Sequence, residues 1–174
     1  MADSDQPYKR SIWDIDKRYS ININNLPRDM LEKIGIVQSI ESAKKRTPPI
    51  PISDIVKIVT AVENLPDPSD ISVEEFQTCL NEIDSWGADV KTSICILSVL
   101  KSGLYPPLDW RIAKAAKMKN MISESEEKIL NSKNKNKIAS IYVQKLLKGW
   151  TQDLREVKDP KTLDDQWGKL ANSG

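Results

Sequence analysis

This chain has no histidine and only two cysteines, Cys79 and Cys95, with no C-x-x-C spacing between them. Without imidazole there is no Ser-His-Asp triad and no His-based zinc site, and two thiols are too few for a disulfide framework. Neither a metal nor an organic cofactor is expected. Also lacking is any apolar run of the ~18–20 residues that a membrane-spanning helix needs. The first residues, through Arg18, are polar and include Asp3 and Asp5, unlike a secretory signal. The expectation is an intracellular protein, nuclear or cytoplasmic, with no membrane contact. A strong net charge is missing too: 29% of the residues are charged, yet the total is only +1, which argues against an intrinsically disordered chain. At 174 residues the chain is long enough to bury roughly 70% of its unfolded surface as one domain, so it needs no staples.

The small total hides an uneven distribution. Val62 to Gly87 holds seven acids and no Lys or Arg, whereas Ala88 to Trp150 holds twelve Lys/Arg against five acids. One half repels phosphate and the other attracts it. That split is consistent with two solvated faces, or with a nucleic-acid footprint on the second half. Lys133, Lys135 and Lys137 read as a loop near such a surface.

Apolar spacing predicts helices almost throughout. The first 25 residues show no sustained period and read as an arm. Leu26-Pro27-Arg28-Asp29 opens a helix to about Lys45, with Leu31, Ile34, Val37, Ile40 and Ala43 on one stripe. Pro48-Pro49-Ile50-Pro51 ends it, and Ser53 and Asp54 are N-terminal signals for a second helix carrying Ile55, Ile58, Val59 and Val62. Ser72 and Glu75 form a capping box for a third helix to about Ser85, with Gly87 placed to end it. Asp89 then caps a helix from Val90 to Lys101, so apolar that it reads as the buried centre. Asp109 caps another from Trp110 to Met118. Ile138, Ile141, Tyr142, Leu146 and Trp150 form an amphipathic stripe, and Leu163, Trp167 and Leu170 dock a last helix, with core packing as the ordinary explanation of these aromatics.

Two residues ask for more than packing. Lys91 lies in the first turn of the apolar helix, where the helix dipole disfavours a cation and apolar neighbours remove water. An amine is nucleophilic in its neutral form, although a lysine at a helix end can also snorkel to solvent. Asp109 follows eighteen residues later. The helix from Lys91 to Lys101 climbs about 15 Å, and the eight residues Ser102 to Asp109 can return roughly 26 Å if extended, as Pro106 and Pro107 favour. The aspartate can therefore reach the level of the lysine, besides serving as a cap.

The segment Gly87 to Arg111 resembles the catalytic hairpin of the helix-hairpin-helix DNA glycosylases, the group containing endonuclease III and 8-oxoguanine glycosylase, whose motif reads roughly L-P-G-V-G-x-K-T-A and then P-V-D-x-H. Gly87 matches the first hairpin glycine, Lys91-Thr92-Ser93 the K-T-A, and Pro107-Leu108-Asp109-Trp110-Arg111 the P-V-D-x-H. Asp89 stands at the second hairpin glycine, Trp86 at the proline, and Arg111 at the histidine, where it keeps a phosphate-binding charge. The four-cysteine cluster motif is absent. A weaker likeness joins Tyr142 to Trp150 and Thr162 to Trp167 to the closing helices of such proteins.

The resemblance implies an all-α, two-lobed glycosylase-like fold, one domain over 1–174. Lobe one spans about 26–101, and lobe two spans about 102–174 together with the arm 1–25. It implies a DNA glycosylase with lyase activity in which Lys91 attacks C1′ of the damaged nucleoside and forms a Schiff base while Asp109 assists. Gly87, Thr92 and Arg111 would hold DNA, and Trp86 and Trp110 would stack on or wedge beside the flipped base. Damaged duplex DNA is then the expected partner of a monomer. The alternative is a catalytically inactive relative that binds nucleic acid or protein, in keeping with the acidic side chain of Asp89 inside the hairpin.

Overall fold

Apolar residues three and four apart become helices throughout the described chain. A computed structural model describes residues 28–43, 50–84 and 89–174, and every regular element among them is helical. The elements are α1 (Arg28–Ala43), α2 (Ile52–Glu63), α3 (Val73–Asp84), α4 (Val90–Leu100), α5 (Trp110–Met118), α6 (Glu124–Leu130) and α7 (Lys135–Ile141). The last runs through a π-helical turn (Tyr142–Leu146) into α8 (Leu147–Val157), and α9 (Pro160–Ser173) follows. None of these is long and apolar enough to cross a membrane. The expected arm, Met1 to Asn25, lies outside the described residues.

Short polar side chains set the helix starts. Ser72 and Glu75 exchange hydrogen bonds as a capping box, each backbone N–H donating to the other's side chain at 3.1 Å. Ser123 and Glu126 repeat the device before α6. Asp89 and Asp109 cap α4 and α5 as expected. At α2 the structure differs from expectation. Neither Ser53 nor Asp54 is the cap, because the helix begins directly after Pro51, whose ψ of 143° ends the extended proline segment. Asp54 instead sits in the first turn, where its charge faces the positive end of the dipole. The lysine run is also corrected: Asn134 caps α7 by accepting from the Lys137 amide, so only Lys133 stays in the turn while Lys135 and Lys137 are helical.

Helices α1 to α4 pack against one another, α5 to α9 do likewise, and α3 lies on α7 and the π-helical turn. One continuous apolar core runs through both sets, from Ile34 to Ala171. Its aromatic centre spans the junction: Phe76 of α3 stacks on Tyr142 with ring centroids 4.6 Å apart and parallels Tyr105 at 6.5 Å. Farther out, buried Trp150 meets Trp167 edge to face at 5.3 Å. Aromatic pairs of this geometry contribute ~0.5–1.5 kcal/mol beyond the area they bury. The tail aromatics are core residues, as their helical spacing suggested.

Candidate functional site

The starts of α4 and α5 share one local pattern, aspartate at the cap and a cation two residues on: Asp89-Val90-Lys91 and Asp109-Trp110-Arg111. Aspartate suits a cap because its short carboxylate accepts from backbone N–H groups that the helix leaves unpaired. Asp89 Oδ1 accepts from the Thr92 amide at 2.7 Å. Asp109 Oδ1 accepts from the amides of Arg111 and Ile112, at 2.9 and 3.0 Å. Its other oxygen, Oδ2, meets the Arg111 guanidinium at 3.1 Å. On the other side α9 passes close to Arg111: a methyl group at Gly168 would sit 3.7 Å from Nη1.

Lys91 has a different situation. It is half-buried and makes no ion pair or hydrogen bond through its amine among the described residues. The structure therefore brings Asp109 and Arg111 together, while Lys91 and Asp109 stand as separate groups on successive helix starts. Thr92 is buried, its backbone used by the Asp89 cap. Trp110 is 53% exposed, unlike the buried Trp150 and Trp167. Trp86 and Gly87 lie outside the described residues.

From the end of α4 to the start of α5 runs a connection that the sequence suggested was an extended strap. It opens instead with a left-handed turn: Ser102 and Gly103 have φ of 54° and 79°, and Gly103 N donates back to Ser98 O. This is a Schellman ending of α4, with serine at the position glycine usually takes. From there to Leu108 the chain is largely buried, and its carbonyls are captured one after another by core side chains. Trp150 Nε1 donates to Gly103 O at 2.9 Å, Ser98 Oγ to Tyr105 O at 2.6 Å, and the Tyr142 hydroxyl to Pro106 O. Tyr105 in turn donates to Pro66 O at 2.7 Å, and Lys101 Nζ to Leu65 O at 3.1 Å, tying the segment to the α2–α3 connection. Burial pushes both tyrosine hydroxyls well above the ordinary phenol range, so each keeps the proton it donates. Asp109 is thus carried on a clamped segment. The Tyr142 and Trp150 spacing revealed core residues, but their polar heads had no visible destination in the sequence.

No cluster of three metal-ligating side chains exists among the described residues. Cys79 is buried on α3, and burial pushes its thiol up to about 12, which leaves it protonated and unreactive. The chemistry this arrangement can perform is that of an amine, a carboxylate oxygen and an exposed indole, all near helix N-termini. Comparison with protein-family models, curated proteins and solved structures gives no match to this chain.

Proposed function

We propose that this chain acts on damaged or abasic duplex DNA as a glycosylase with lyase activity, on the glycosylase-like version of its all-helical fold. The observation that carries the reading is the difference between the two matching helix starts: Arg111 is neutralised by its own cap, whereas Lys91 has no counter-ion among the described residues. A nucleophilic amine must be free to approach carbon. Lys91 Nζ would form a bond to C1′ as the bond from C1′ to the base nitrogen breaks, with its electron pair leaving on the base. Ring opening, with the amine giving up a proton and O4′ taking one, then gives the Schiff base, from which removal of a C2′ proton expels the 3′ phosphate and cleaves the strand.

Asp109 fits the assisting role through one oxygen only. Oδ1 is committed to two helix amides, so Oδ2, shared with Arg111 on a partly exposed surface, is the atom able to face positive charge developing on the sugar. Trp110, at the same helix start, offers a ring face to an extruded base. Thr92 and Arg111, together with Gly87 and Trp86, complete the DNA-binding set of this reading. It requires no metal or organic cofactor.

Borohydride reduction during incubation with a panel of lesion-bearing and abasic duplexes tests this directly. A covalent protein–DNA adduct that disappears in Lys91→Ala is the expected result, and absence of any adduct across the panel rejects the enzyme. A second reading, a non-catalytic DNA-binding relative, is favoured by two observations. Lys91 and Asp109 form no ion pair, and Asp89 puts a carboxylate at the start of α4. It predicts salt-sensitive duplex binding without an adduct.

A further inference from the structure

The basic half of the chain is less uniform than its sequence suggests, because the structure separates cations that are occupied from those that are free. Arg111, Lys117, Lys119 and Lys145 are paired with Asp109, Glu127, Asp153 and Glu126. Lys101 and Lys114 donate to the carbonyls of Leu65 and Gly174. By contrast Lys133, Lys137 and Lys148 are exposed and make no ion pair among the described residues. They sit along one connected rod, the α6–α7 turn followed by α7, the π-helical turn and α8. From Lys128 to Gln152 the sequence contains no acid at all.

We propose that the outer face of this rod follows the phosphodiester backbone of duplex DNA, with Lys133, Lys137 and Lys148 meeting phosphates. The inference rests on the nucleic-acid side of the reading above and does not depend on catalysis by Lys91. Amide side chains lie between the cations: Asn136 and Gln144 are exposed on the same stretch. Lysine, asparagine and glutamine are among the side chains that contact phosphate and sugar. The rise from Lys137 to Lys148 is about 16 Å, a span of about five base pairs. An anionic membrane is a poorer fit, because a helix lying on lipid presents apolar residues beside its cations. Here the apolar side of α7 and α8 is buried in the core, and among the described residues the exposed large apolar side chains, Ile52, Leu104, Trp110 and Met118, lie elsewhere.

The test uses the full chain and a fluorescent undamaged duplex, with anisotropy read at several salt concentrations. The variant is Lys137→Gln/Lys148→Gln, and the charge-matched control is Lys57→Gln/Lys169→Gln, at exposed positions on α2 and α9. Both exchanges keep good helix formers, and a circular-dichroism melt checks that each variant folds. The slope of log affinity against log salt is expected to flatten by about 2 in the first variant, one per lost phosphate contact, and to stay unchanged in the control. Equal slopes for wild type and both variants would overturn the assignment of this face while leaving DNA binding intact. Failure of the wild-type chain to bind duplex at low salt overturns both the face and the nucleic-acid reading, as does a preference for anionic lipid vesicles over the duplex. Binding with the expected slopes but without a borohydride adduct keeps the face and rejects only the glycosylase.

Discussion

The starts of α4 and α5 are built from the same three-position pattern and end in different electrostatic states. In each, aspartate caps the helix and a cation follows at the second helical position. At α5 the guanidinium folds back onto the free carboxylate oxygen of its own cap, and α9 flanks it. At α4 the carboxylate accepts a single backbone N–H, and the Lys91 amine makes no ion pair among the described residues. An arginine has a planar fork of donors that suits a carboxylate, while lysine is a point charge on a flexible stem. Identical local sequence logic therefore leaves one cation paired with its own cap and the other without an ion pair among the described residues.

The largest effect separates the two directly. Lys91→Ala is expected to reduce borohydride-trapped adduct by at least about a thousandfold, the scale on which loss of a nucleophile acts. Arg111→Ala should weaken trapping but leave it detectable, since it removes a DNA contact of this reading and the partner of Asp109 while the nucleophile stays. Gel quantification of adduct against time measures both. An adduct abolished by Arg111→Ala and retained by Lys91→Ala would reverse the comparison.

Next in size is the clamp on the segment that leads from the end of α4 to the start of α5. Tyr142→Phe keeps the ring stacked on Phe76 and deletes only the hydroxyl that Pro106 O accepts from. A buried carbonyl left unpaired costs about 1–3 kcal/mol, so urea unfolding should shift by that amount. If the clamp also fixes Asp109, exchange of the Arg111 and Ile112 amides with deuterium should accelerate beyond the change set by global stability. Unchanged exchange at those two amides would separate the clamp from the site.

Much of this organisation was legible in sequence. The helix spacing, the Ser72–Glu75 box, the Asp89 and Asp109 caps and the core role of Tyr142 and Trp150 all depend on contacts within a few residues or on periodicity, which a single sequence carries. What was not legible involves long-range partners. Nothing near Trp150 announces that its indole N–H meets Gly103, and nothing near Tyr142 points to Pro106. The Schellman turn was hidden because serine, not glycine, occupies its left-handed position. The pairing at Asp109 was not legible either: Arg111, rather than Lys91, occupies its carboxylate.

The caps themselves give a smaller contrast. Loss of a capping aspartate costs about 0.5–2 kcal/mol. Asp109→Ala removes the acceptor for two amides and a partly exposed ion pair, whereas Asp89→Ala removes the acceptor for one amide. Thermal or urea unfolding should place Asp109→Ala toward the upper end of that range and Asp89→Ala toward the lower. Equal losses would mean that neither the second amide nor the ion pair with Arg111 adds to the start of α5, as an exposed ion pair often does not.

The smallest effect comes from a third helix start, where the occupied acid is inside the helix. Glu126 accepts from the Lys145 ammonium at 2.6 Å and from the Ser123 amide at 2.8 Å, and these bonds hold its carboxyl below the usual glutamate range. A carboxyl whose folded value lies below its unfolded one contributes stability above the unfolded range and loses it as pH falls through the folded value. Wild-type melting temperature should therefore drop on acidification below about pH 4.5, and Glu126→Gln should show a shallower drop over that window while melting slightly lower at pH 7. Lys145→Gln should reproduce part of the change, because the amide bond to Ser123 remains. Parallel acid curves for wild type and Glu126→Gln would mean that the pair with Lys145 is dispensable. The anchoring of α6 to the basic rod would then rest on apolar packing alone.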